Sequence, residues 1–154
     1  MLGGVLSLKQ VDISHKRVQR REATAVGRIK LKPDTLEKIR LRLLEKGDAL
    51  ELARVGAIVG AKSTPQILPL CHPLKLEHVE MNESIGEDYV EVRVRVVAFE
   101  KTGVEMEALT AVSCALLNIW DAVKQYEKDE HGQYPSTEIY GVRVVSKVKT
   151  DEAT

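Results

Sequence analysis

The sequence predicts an α+β two-layer sandwich in which helices cover one face of an antiparallel sheet. Three observations carry that reading. Alternating apolar parity marks strands, apolar residues three and four apart mark helices, and the two kinds interleave in the order β-α-α-β-β-α-β. That order is ferredoxin-like. With 154 residues, 44% of them apolar and 30% charged, the chain suits one core-forming domain spanning residues 1–154 and is not a disordered tail.

The elements follow in order. Residues 20–31 alternate, with Ala23, Ala25, Gly27, Ile29 and Leu31 on one parity and Thr24, Arg28 and Lys30 on the other, as in a half-buried strand. Pro33-Asp34 stops it. Asp34 with Glu37 reads as a capping box, and Leu36, Ile39, Leu43 and Leu44 recur at helical spacing until Gly47. Asp48 with Glu51 repeats the capping pattern and opens a second helix, with Leu50, Ala53, Ala57, Ile58 and Ala61 as its stripe. Pro65, Pro69 and Pro73 then crowd into TPQILPLCHP, where missing backbone donors and restricted predecessors predict a stiff, largely extended loop. A hairpin is expected over 75–82 and 89–99, turning at 83–88. Thr102-Gly103 breaks it, and residues 104–125 form the longest helix, with Ala108, Val112, Ala115, Leu116, Ile119, Ala122 and Val123 toward the core. EKDEHGQYPST is polar and turn-rich, and residues 138–148 close the chain as a last strand. Valines on both parities near Val96-Val97 point to a sheet whose second face is also covered, as by another subunit.

Composition excludes several classes. Lys+Arg and Asp+Glu are equal at 23 each, so nothing draws the chain as a whole to nucleic acid or an anionic membrane. The longest apolar stretch, residues 108–120, is shorter than the roughly 20 residues a membrane span needs. MLGGVLSLKQ lacks the pattern of a secretory signal, and Cys71 and Cys114 are too few for a disulfide scaffold. A cytoplasmic protein is expected.

Several motifs invite functional readings. GAIVGAKST imitates a phosphate-binding loop, but Ala61 separates the second glycine from Lys62 and a capped helix precedes it. Close helix packing explains its small residues better. Cys71 and His72 are adjacent, so they point apart in extended chain and make neither a metal site nor a nucleophile–base pair. His72 is nonetheless fixed between Pro69 and Pro73, as a ligand-contacting imidazole would be. Glu105 and Glu107 suit the positive end of the long helix. Glu107, Thr110, Cys114, Leu117, Asp121 and Lys124 share a side away from the core stripe, which suggests a second, partly buried surface. Arg20, Arg21, Lys46, Lys62 and Lys147 are individually ordinary surface charges, but together they could build an anion site for a polyphosphate.

At these residues the chain resembles the molybdenum-cofactor biosynthesis C family, the cyclic pyranopterin monophosphate synthases. The strings REATAVGRIKL, EKGDALELARVGAIVGAK, LPLCHPLKLEHVEMN, KTGVEMEALTAVSCALLNIWDAVK and GVRVVSK carry the likeness over nearly the whole chain. The resemblance implies conversion of (8S)-3′,8-cyclo-7,8-dihydroguanosine 5′-triphosphate to cyclic pyranopterin monophosphate with release of pyrophosphate. It implies catalytic roles for Asp121, Lys46, Lys124 and Lys147, and substrate contacts for Leu70, Cys71, His72, Glu105, Met106, Glu107 and Arg21. It also implies a homohexamer, a trimer of dimers, with active sites at subunit interfaces. No cofactor or protein-bound metal is called for, Mg²⁺ being at most a companion of the triphosphate. Two departures stand out: the family's Gly-rich tail is replaced by KVKTDEAT, with Lys149 as a stand-in, and the stretch 130–135 is longer than usual.

The residue types suit the chemistry. Opening and closing rings at nitrogen and oxygen needs proton donors and acceptors near neutrality, a task for lysines oriented by a carboxylate such as Asp121. A hydroxyl attacking the α-phosphorus needs cations on the departing pyrophosphate. A non-catalytic nucleotide-binding module would explain the basic residues but leave Asp121 and Lys124 without a role, and a purely structural oligomerising domain would bind no ligand. One spacing is decisive for the site: Glu107 and Asp121 in one helix stand about 21 Å apart, so either two chains share each site or the Glu105–Glu107 segment bends off the helix.

Overall fold

The structure, a computed structural model, describes residues 7–151. Its elements are β1 (Gln19–Lys30), α1 (Pro33–Arg40), α2 (Ala49–Lys62), α3 (Thr64–Ile67), β2 (Leu76–Ile85), β3 (Tyr89–Glu100), α4 (Glu105–Glu127) and β4 (Glu138–Thr150). The strands lie in the order β2-β3-β1-β4, and every neighbouring pair is antiparallel. The expected α+β sandwich forms, with helices on one face.

Parity explains the core. Ala23, Ala25 and Ile29 of β1 face Val96, Val94 and Val90 of β3, and all six are buried. Helix α4 lies on this surface through Val112, Leu116 and Ile119. Gly27 permits the approach, because a Cβ there would sit 2.8 Å from Val112 Cγ1 and 2.9 Å from Leu116 Cδ1. Long and apolar as α4 is, Ala108, Ala111, Val112, Ala115, Leu116, Ile119, Ala122 and Val123 are buried in this packing, as in the core helix of a folded domain.

Helix α2 closes on α4 through the small residues of GAIVGAKST. A Cβ on Gly60 would fall 2.8 Å from Cys114 Cβ and 3.0 Å from the Thr110 carbonyl oxygen. The motif is thus a packing seam, as its interrupted spacing indicated. Gly60→Ala is expected to cost roughly 1–3 kcal/mol by forcing the helices apart. Urea unfolding at unchanged stability would contradict that contact.

Five details depart from expectation. Asp34 does not cap α1; Lys32 is the N-cap residue and offers no side-chain bond. The start of α1 is tied instead to α4, where Glu127 accepts from the Lys32 N–H at 3.1 Å and from the Thr35 hydroxyl. Glu127 also accepts from Thr137 at 2.7 Å and is fully buried, although it lies in a stretch that reads as polar turn. Helix α1 ends at Arg40 because Arg42 adopts φ 56°, which turns Leu43 to solvent and Leu44 inward. Asp48 does cap α2, accepting from the Leu50 and Glu51 N–H groups. The proline-rich loop is extended only in part: Pro65 sits in the first turn of α3, where its missing N–H costs nothing. Finally, buried valines on both parities need no second subunit, since Val26 and Val97 are buried within this chain. The face they occupy carries Arg95 between Glu22 and Glu80, and Arg28 on Glu91.

Candidate active site

Helix α4 organises two clusters, one at each end. At its N-terminal end lies a cavity of about 460 Å³ lined by Leu70, Cys71, His72, Glu105, Met106 and Glu107 among others. The loop after α3 brings the first three and the first turn of α4 the rest. PLCHPL and VEMEA, distant in sequence, therefore meet at one opening. Glu107 is 3% exposed. Burial, reinforced by the neighbouring Glu105, pushes its pKa up to about 7. A carboxyl so poised can donate or accept a proton at neutral pH. Burial and the two glutamates also push the Cys71 thiol up, so it is no thiolate nucleophile.

Glu105 turns one oxygen to Lys147 Nζ at 3.2 Å, while its Oε2 is buried without a partner. Arg21 lies behind the loop that leads into α4. It is 5% exposed and donates to the carbonyls of Glu100 and Lys101, so it braces the loop leading into α4 from behind.

The second cluster lies near the other end. Lys46 Nζ donates to the Asp121 carbonyl at 3.0 Å and to Asp121 Oδ1 at 3.3 Å, and Lys124 Nζ approaches the same Oδ1 at 3.2 Å. The bonds from Lys124 and Lys46 hold the Asp121 carboxyl below its ordinary pKa, so it is ionised at neutral pH. Lys46 is delivered by the loop before Gly47 (φ +105°), which is pinned where the Glu45 N–H donates to the Tyr126 hydroxyl at 2.9 Å. A shallow apolar hollow of Leu117, Trp120 and Ile139 adjoins Asp121 and Lys124.

The expected site residues thus divide. Leu70, Cys71, His72, Glu105, Met106, Glu107 and Lys147 gather at one end, while Lys46, Asp121 and Lys124 gather at the other. The basic residues do not make a single anion site within the chain. The shared side of α4 divides as well: Thr110 and Cys114 pack on α2, while Leu117 is 59% exposed. Helix α4 is continuous from Glu105 to Glu127, so the Glu105–Glu107 segment does not bend off it. Of the tail that replaces the Gly-rich loop, residues up to Thr150 continue β4, with Lys149 opposite Arg21, and residues 152–154 lie outside the described ones. The long stretch before β4 folds back on α4, where Tyr134 meets Trp120 edge-on at 5.1 Å. Among the described residues, no three His, Cys, Asp or Glu side chains form a metal-holding group.

Sequence reasoning missed one component. The irregular chain before β1 reaches the first cavity and lines it with Lys9, Val11, Asp12, Ile13, His15 and Lys16. Neither apolar period nor motif marks it, so no signal in the sequence places it there.

Glu107 gives a pH test. The folded chain holds this proton more tightly than the unfolded one. The group's contribution is complete below its ordinary value of 4.5 and is lost as pH rises to about 7. Glu107→Gln should match the parent near pH 4 and exceed it by up to about 3 kcal/mol at pH 8 in urea unfolding. Equal or lower stability at pH 8 would contradict the burial.

Residues 10–150 match the model of the MoaC family. A Pyrococcus abyssi protein described as a probable cyclic pyranopterin monophosphate synthase is 54% identical over 143 residues, 93% of this chain and 90% of its own. A Sulfolobus acidocaldarius protein with the same description is 56% identical over 140 residues, 91% of this chain and 98% of its own. A Methanothermobacter thermautotrophicus protein described as a probable synthase accessory protein is 49% identical over 144 residues, 94% of this chain and 91% of its own.

Proposed function

The chain belongs to the MoaC family, and from that premise we propose that it acts as a cyclic pyranopterin monophosphate synthase in molybdenum cofactor biosynthesis. Its substrate is (8S)-3′,8-cyclo-7,8-dihydroguanosine 5′-triphosphate, which rearranges to the cyclic monophosphate as pyrophosphate leaves. The observation that carries this reading is the meeting of PLCHPL and VEMEA at one cavity beside a buried, near-neutral Glu107.

Each site joins the His72–Glu107 end of one chain to the Lys46–Asp121–Lys124 end of another. The distance along α4 supports this, since about 21 Å separates Glu107 from Asp121 within a chain. In that arrangement Asp121 holds the two lysines over the substrate. One lysine moves protons at the ring being opened, and the other stabilises charge on the phosphates. A substrate hydroxyl then attacks the α-phosphorus, its proton passes to a base, and the bond to pyrophosphate breaks. Any Mg²⁺ travels with the triphosphate. Assembly as a trimer of dimers in the cytoplasm completes the picture. The exposed Val55, Val59 and Leu117 of α2 and α4 suit contacts between copies, and the two free cysteines suit a reducing compartment.

The test is incubation of the purified protein with the cyclic nucleotide. Stoichiometric pyrophosphate and cyclic monophosphate are expected. Nucleotide binding without pyrophosphate release would support a non-catalytic nucleotide-binding module instead.

A further inference from the structure

The cavity at the N-terminal end of α4 has two walls of opposite character. The wall built by the loop after α3 and the start of α4 contributes Glu105, Glu107 and His72 but neither lysine nor arginine. Lys147, just outside it, is engaged by Glu105. The opposite wall is the irregular segment from Lys9 to Lys16, which brings Lys9, His15 and Lys16 against a single carboxylate, Asp12. Among the described residues, neither Lys9 nor Lys16 forms an ion pair. Ser14 already engages Asp12, its backbone N–H donating to Oδ1 at 2.8 Å.

This segment is tied down at three points. His72 Nε2 lies 2.7 Å from the Val11 carbonyl, Gln10 Nε2 donates to the Cys71 carbonyl at 3.2 Å, and Lys101 Nζ donates to the Ser14 carbonyl at 3.4 Å. A carbonyl only accepts, so Nε2 of His72 carries the proton and Nδ1 is the nitrogen left for a ligand. Two anchors run through backbone carbonyls of the segment and the third through the Gln10 side chain, which leaves the lysine side chains uncommitted.

We propose that residues Lys9–Lys16 are a substrate-binding element whose Lys9 and Lys16 hold phosphate oxygens of the nucleotide. This rests on the synthase reading above. The ligand it fits carries hydrogen-bond donors for Glu105 and Glu107 on one side and a polyphosphate for the lysines on the other. A nucleoside triphosphate has both. Charge-assisted bonds of this kind make a loss of roughly tenfold or more in affinity reasonable for each lysine removed.

The test uses the full chain, with Lys9→Ala, Lys16→Ala, the double variant, and Lys30→Ala as a control on the exposed end of β1. Inorganic pyrophosphate is titrated into each by calorimetry, and KM and kcat are measured with the cyclic nucleotide. The expected result is at least tenfold weaker pyrophosphate binding and a higher KM in the double variant. Its melting temperature should be unchanged, and Lys30→Ala should behave as the parent. Pyrophosphate affinity and KM equal to those of the parent in the double variant would overturn the proposal, as would a parent that binds no pyrophosphate. If the parent binds pyrophosphate through these lysines yet turns over no substrate, the element stands and the synthase reading falls.

Discussion

Replacing Lys46 or Lys124 by Ala is expected to lower turnover by roughly 100- to 10,000-fold while leaving the fold intact. Both ammonium groups bear on one oxygen of Asp121, and both side chains are about two-fifths exposed. Exposed pairs of this kind contribute no more than about 1 kcal/mol, so melting temperature should move little. The two variants should differ in what they lose. Lys46 is held by a carbonyl as well as the carboxylate, on a loop pinned by Tyr126, so its place is fixed before substrate arrives. Among the described residues, Lys124 has only the carboxylate. Steady-state kinetics beside circular dichroism decide the matter. Near-parental product formation by both variants would remove the cluster from the mechanism, and loss of the folded state would make it structural.

The sequence reveals those features that repeat a local rule. Parity in β1 and β3 places Ala25, Ile29, Val90, Val94 and Val96 on the face that α4 covers, whereas the burial of Val26 and Val97 on the other face does not follow from alternation. The capping role of Asp48 is visible because donor and acceptor lie within four residues. The pairing of Asp121 with Lys124 follows from one helical turn. What stays hidden depends on distant partners. Glu127 reads as part of a polar turn, yet it is buried because Lys32, Thr35 and Thr137 converge on it from elsewhere in the chain. Helix α3 is hidden because three nearby prolines suggest extension, although a proline fits a first helical turn. Lys46 meets Asp121 only through tertiary folding, and the segment Lys9–Lys16 reaches the cavity without any periodic signal. The separation of Glu107 from Asp121, by contrast, is plain arithmetic on the sequence, and the continuous α4 preserves it.

That separation makes one mixing experiment the most direct measurement. Asp121→Asn and His72→Ala each disable one end of α4 and should be inactive alone. Mixed at equal concentration under conditions of proven subunit exchange, they form hybrids. If a site takes His72 from one chain and Asp121 from another, about a quarter of the sites recover both groups by random pairing. Pyrophosphate release should then reappear at about that fraction of the parental rate. Complete exchange with no recovered activity would show that both residues serve the pocket of a single chain, which would contradict a site shared between subunits.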